Sequence, residues 1–206
     1  MAITDLTVIN AAATRTGNDP ITNITTDTTS VGIIARANYE DMVKAHLALN
    51  PWKTATKIAV LSRIDPDEHG EPPEPWGAAY QKPTDLVEIR TIKVGGVPIQ
   101  YEVHGDTYLC DAAEDDEVII HYLWRVPESA WPPVFREAIT RELEAMFLRG
   151  AGERYREAQA REESATEWGG KARNRDAQSQ TSRNPNTSPT LTARGAGPAP
   201  RLVLPR

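Results

Sequence analysis

The residues in this 206-residue chain that could turn over a substrate or hold an ion are few: one cysteine, four histidines and a short acidic run. Cys110 would need a neighbouring base and a nucleophile signature to act in catalysis, and "TYLCDAA" around it supplies neither. It reads as a small buried hydrophobe. As the single cysteine it also excludes an intramolecular disulfide and a thiolate zinc site. His46, His69, His104 and His121 fall on a helical pattern, a loop and two strand patterns, without H-E-x-x-H or any comparable ligand pair. His121, on an alternating segment, reads as a half-exposed strand residue. The run Glu114 to Glu117, with Asp111 before it, could offer carboxylates to a hard cation, but it lacks the glycine and spaced ligands of a calcium loop. A solvated turn is the better reading. "VGGVP" has neither the Lys-Ser/Thr end of a phosphate loop nor a helix after it. The triplets at Asn23 and Asn186 match a glycosylation pattern, but with no secretory signal they read as coincidental. The expectation is a protein with no catalytic residue, no cofactor and no metal.

The elements that would position these groups are legible from periodicity. Thr4 to Gly17 predicts a short helix in which Thr4 caps, Leu6, Ile9 and Ala13 share a face and Gly17 stops it. Asp27 predicts the cap of a longer helix, with Val31, Ile34, Ala35, Tyr39, Met42, Ala45, His46 and Leu49 at three- and four-residue spacing until Asn50-Pro51. From Trp52 the period changes to two. Strands are predicted near 54–62, 86–94, 98–104, 107–111 and 117–125, joined by turns at Gly95-Gly96, Gly105-Asp106 and the acidic run, so that pairing is antiparallel. After Pro132-Pro133 a helical stripe returns through Phe135, Ile139, Leu143, Met146 and Phe147 to Gly150. A polar helix over about 152–168 follows, with only Tyr155, Ala158, Ala165 and Trp168 as weak apolar positions, which predicts exposure or packing on another chain.

The fold expected is α+β: a small helical bundle with an inserted antiparallel β-sheet and an extended C-terminal tail. Its parts are N-terminal helices over 1–51, the β insert over 52–126, C-terminal helices over 127–170 and a basic arm over 171–206. Of the five tryptophans, Trp52 and Trp124 read as core, while Trp76 in "EPPEPWGAAYQKPTD" and Trp168 on the polar helix read as contact-surface aromatics. Trp76, Tyr80 and Pro83 are expected to anchor the loop that leads into the strand near Leu86.

Charge divides the chain. Residues 1–170 hold sixteen Lys and Arg against 28 Asp and Glu, a net of −12, whereas residues 171–206 hold seven Lys and Arg against one acid. An acidic body argues against wrapping nucleic acid, which needs cationic neutralisation. The tail composition predicts disorder in isolation and order only on a partner. Arg173, Arg175, Arg183, Arg194 and Arg201 would meet acidic surface there, and Leu202, Val203 and Leu204 would fill a groove or add a strand. No run reaches the roughly 18 apolar residues of a membrane helix, and the N-terminus lacks a signal-peptide pattern. No membrane association is expected.

Two stretches carry a resemblance. "LNPWKTATKIAVL", Leu49 to Leu61, resembles the Pro-Trp segment that ends the long helix in the tail tubular protein A family of short-tailed phages and in related head–tail adaptors of tailed phages and gene transfer agents. "WGAAYQKPTDLVEIR", Trp76 to Arg90, is similar to that family's segment leading into its central strand. The resemblance spans about residues 5–155 and includes an Ile-Asn pair, Ile9-Asn10. It departs at the end of the first helix, here "ATRTG" where the family usually has Leu-Gly, and in the long basic tail. It implies a structural virion protein at the head–tail junction, made in the host bacterial cytoplasm. Twelve copies would form a ring beneath the portal protein and contact a downstream tail or nozzle protein, and DNA would pass through the channel without specific binding. Two alternatives differ in kind: a nucleic-acid-binding packaging factor, which needs a basic face on the body, and a small enzyme, which needs a convergent site.

Overall fold

The computed structural model describes residues 4–50, 52–66, 70–151 and 154–178. Two helices, α1 (Asp5–Arg15) and α2 (Ser30–Ala48), precede seven strands: β1 (Thr56–Val60), β2 (Ala78–Gln81), β3 (Leu86–Val94), β4 (Val97–Pro98), β5 (Tyr101–His104), β6 (Thr107–Cys110) and β7 (Val118–Trp124). Two more helices, α3 (Pro133–Gly150) and α4 (Tyr155–Gln178), complete the described chain. The architecture is the α+β arrangement that the periodicity predicts, with antiparallel strands inserted into a helical bundle.

Local chemistry sets the helix ends. Thr4 and Thr7 form a reciprocal capping box on α1, and Gly17 follows its end at φ 80°, a conformation only glycine adopts without strain. Asn10 fastens the next loop to α1: its Nδ2 donates to the Ile21 carbonyl and its Oδ1 accepts from the Ile21 N–H, both at 2.8 Å. The neighbouring Ile9 is fully buried, so the Ile-Asn pair joins core packing to loop closure. The cap of α2 is Thr29, not Asp27. Asp27 braces that cap instead, accepting from the Thr29 N–H at 2.8 Å and from the Thr29 hydroxyl. Helix α3 starts behind Pro132 and buries Phe135, Ile139, Leu143 and Phe147 against α1 and α2. Each such side chain contributes about 1.5–3 kcal/mol.

The polar helix α4 departs from expectation twice. It packs along α3 of the same chain, and it continues to Gln178 rather than stopping near Trp168. Ala158, Ala165 and Ala172 are its buried residues, seven apart, facing a side of α3 that includes the buried Ala138 and Ala145. A seven-residue repeat holds one face toward a neighbouring helix, and alanine's small side chain lets the two backbones approach closely. Ion pairs flank the seam: Arg161 reaches Glu144 at 3.1 Å, and Arg149 pairs with Glu162. Glu144 is 1% exposed and also takes Arg15 of α1 at 3.1 Å, so one carboxylate joins three helices. The arm expected from residue 171 therefore starts as helix, and residues 179–206 lie outside the described residues.

The strands form two sheets, in the orders β1-β7-β3-β4 and β2-β6-β5. Gly95 and Gly96, at φ 56° and 83°, make the two-residue turn from β3 to β4 that antiparallel twist favours. The sheets share chain at two corners. Beyond β1, Leu61 donates to the Val118 carbonyl at 2.8 Å, and then Arg63 bridges Tyr80 while Ile64 donates to Ala79 at 2.9 Å. On the other side, Ile99 donates to Ile92 at 3.0 Å and the chain runs on from β4 into β5. A small barrel-like sandwich results, with strands that switch sheets at its corners. Strand β2 is absent from the sequence-based expectation. "AAYQ" is too short and alanine-rich to announce itself, and pairing on both sides makes it a strand.

Two hydrophobic cores result. One fills the bundle, and the other, with Leu61, Tyr80, Ile92, Tyr108, Cys110, Ile120 and Tyr122, lies between the sheets. The modules are joined because Trp52, Ala55, Leu123 and Val126, from the edges of the β insert, belong to the bundle core.

Candidate interface

The Pro-Trp segment lies at the junction of bundle and β module. Trp52 is 3% exposed, meets the Phe135 ring edge-on at 4.9 Å and donates its indole N–H to the His46 carbonyl at 3.0 Å. Phe135 in turn meets Trp131 edge-on at 5.1 Å. The far end of α4 arrives at the same place. Asp176 accepts from the Lys53 backbone N–H at 3.0 Å, and the Ala177 carbonyl accepts from the Lys53 ammonium at 2.9 Å.

Two polar clamps hold the module to its mount. Asp85 accepts from Lys57 of β1 at 2.7 Å and from the Tyr122 hydroxyl of β7 at 2.9 Å. Burial opposes its ionisation, but these two donors outweigh it and keep its pKa below the usual carboxylate value. In the second clamp Arg125, just past β7, pairs with Glu40 of α2 at 3.1 Å and with Glu128, while the Tyr39 hydroxyl donates to Glu128 at 3.0 Å. Burial first, and then the Glu128 carboxylate, push the Tyr39 pKa far above its ordinary value. Neither clamp stands out in the sequence. The signal for Asp85 is its place directly after Pro83-Thr84, where a turn brings its side chain over β1 and β7.

The three expected loop anchors separate. Tyr80 is 2% exposed and belongs to β2, with its ring in the barrel core. Trp76 is half-buried on the rim and donates its indole N–H to Glu102 of β5 at 2.9 Å. Pro83 is half-buried in the turn that ends at Leu86, whose N–H reaches the Pro83 carbonyl at 3.3 Å. Tyr80 thus anchors through the barrel, and Trp76 covers a surface.

Among the expected partner-facing residues, Arg173 and Arg175 are exposed on the last turns of α4 and are helical rather than extended. Arg183, Arg194, Arg201, Leu202, Val203 and Leu204 lie outside the described residues. Cys110 is fully buried, and burial, then Asp111, push its thiol up to about 11, which suits packing and not nucleophilic attack. Residues Glu114 to Glu117 form an exposed turn in which Asp116 accepts from the Ala113 N–H at 2.8 Å. His46 is half-buried against a groove of about 190 Å³ between α2, α3 and α4, and His104 and His121 lie on different sheets. The sequence reading missed an apolar surface: Ile58 and Val60 of β1 are 61% and 57% exposed. Val60 pairs with Ile119 and Ile58 with His121, so this side of the sheet carries an aliphatic stripe out to its edge strand.

No protein-family model matches the chain, and comparison with curated proteins gives no significant match.

Proposed function

We propose that the protein is a head–tail adaptor: copies assemble into a ring, twelve by resemblance, beneath the portal of a viral head, and line the channel through which DNA leaves. The observation that carries this reading is where the two resembling segments fall. Leu49–Leu61 mounts the β module on the bundle through the buried Trp52, and Trp76–Arg90 builds β2, the Asp85 clamp and the start of β3. A stiff mount of this kind suits a subunit whose two modules face different neighbours. The acidic body suits a wall that DNA must slide past, because like charge prevents adhesion. Nothing in this role needs a catalytic residue.

The test is reconstitution. Purified portal rings incubated with the protein should, by electron microscopy, gain a second ring of matching rotational symmetry. Portal rings left bare at saturating protein would refute the proposal. Tight, salt-sensitive DNA binding by the acidic body would favour the packaging-factor alternative.

A further inference from the structure

We propose that Arg201–Leu204 docks as an added strand on the free edge of β1 of the same chain, covering Ile58 and Val60. The inference stands whether or not the protein works beneath a portal.

The receiving surface is defined by strand phase. Among the described residues β1 is the outermost strand of its sheet, with β7 on its inner side. Trp124 donates to the Ala55 carbonyl at 3.0 Å and Leu61 donates to the Val118 carbonyl at 2.8 Å, so Lys57 and Ala59 also turn their backbone groups toward β7. The N–H and C=O groups of Ile58 and Val60 then point outward. Their side chains are the same two large aliphatics that stand exposed beside Ile119 and His121. A free backbone edge combined with exposed β-branched side chains is a template for one more strand.

The occupant follows from where the described chain leaves off. The contacts of Asp176 and Ala177 with Lys53 hold the end of α4 three residues before β1 begins. From there to Val60 is about 25 Å along an extended strand. The residues between Gln178 and Leu202 can span up to about 80 Å, so reach is ample. Beyond Gln178 the only run of large apolar residues is Leu202-Val203-Leu204, set between Pro200 and Pro205. In a strand Leu202 and Leu204 share a face, as Ile58 and Val60 do, so the register that sets them opposite Ile58 and Val60 places both leucines beside exposed aliphatic surface, whereas a one-residue slip would turn them to the other face. Charge agrees. Residues 179–206 contain four arginines and no acid, whereas residues 52–126 contain seven Lys and Arg against 14 Asp and Glu. Attachment to the same chain raises the effective concentration to about the millimolar range, favouring the chain's own tail over a tail from a second copy in dilute solution.

The experiment is site-resolved amide hydrogen exchange on the full chain and on a full-length variant carrying Leu202→Asp and Leu204→Asp, at low and high protein concentration. The outward amides of Ile58 and Val60 should exchange at least about tenfold more slowly in the wild type than in the variant, independent of concentration. Ile120, inside the barrel, should be unchanged and reports that the variant is folded. Equal exchange at Ile58 and Val60 in both chains would overturn the proposal. Protection that appears only at high concentration would overturn it too, by assigning the strand to a second copy.

Discussion

At the scale of single residues, burial and not residue type decides which aromatic matters. Trp76 is the larger side chain and the more conspicuous in the sequence, but it is half-buried and holds one hydrogen bond to an exposed strand residue. Tyr80 is enclosed by both sheets. Tyr80→Ala should cost about 3–5 kcal/mol and Trp76→Ala about 1 kcal/mol, read from urea midpoints. A Trp76→Ala loss as large as that of Tyr80→Ala would contradict this ranking. His46 offers a second test, through pH. Burial lowers its pKa. Above about pH 6.5 the imidazole is neutral in folded and unfolded chains alike and contributes no pH dependence. As pH falls below that value, the unfolded chain takes up the proton more readily, and stability is lost as pH drops toward the folded pKa. His46→Gln should therefore flatten the fall in melting temperature between about pH 7 and pH 5. Parallel curves for the two proteins would show that the site does not titrate on unfolding.

At the scale of elements, α4 is held by how closely it approaches α3, not by large apolar side chains. A seam of Ala158, Ala165 and Ala172 tolerates no added volume. Ala165→Leu should cost about 1–3 kcal/mol by forcing the helices apart, whereas Ala160→Leu, on the exposed side, should be near neutral. Comparing chemical denaturation of the two variants tests the seam directly. Equal midpoints would mean that α4 is not packed this way. The seam also explains why so polar a helix forms here at all: its buried stripe is narrow, and the ion pairs of Arg161 and Arg149 line its sides.

At the scale of the whole molecule, the end of α4 is part of the fold. Ala172 belongs to the bundle core, and Asp176 and Ala177 hold Lys53 at the foot of the β module. A chain ending at Gly170 should melt well below one ending at Gln178, although both lack the basic residues from Arg183 onward. Coincident melting curves would show the last two turns of α4 to be dispensable. Because α4 spends its apolar stripe on α3, its outer face offers a neighbour little but charge, with Tyr155 the main exception. An interface that polar does not sustain an obligate oligomer. If the proposed head–tail role holds, the isolated protein should be monomeric at low micromolar concentration by analytical ultracentrifugation and form rings only on a portal template; stable rings without portal would contradict this.

The sequence alone determined the features whose causes lie within a few residues. Thr4 and Gly17 bound α1, Pro132-Pro133 starts α3, Gly95-Gly96 turns β3 into β4, and the alternation of Val118, Ile120 and Tyr122 marks β7, since caps, turns and periodicity act locally. The tertiary structure decided what depends on a surface distant in the chain. "AAYQ" becomes a strand because β6 and residues 62–64 flank it, and α4 folds onto α3 because Ala138 and Ala145 leave room for its alanines. Asp85 becomes a clamp because Lys57 and Tyr122 converge on it from two strands. For the candidate interface the division is the same. The cations of the arm and the aromatics of the Pro-rich loop are plain in the composition, but the outer edge of β1, unpaired among the described residues, exists only once β7 has taken one side of that strand and left Ile58 and Val60 facing outward on the other.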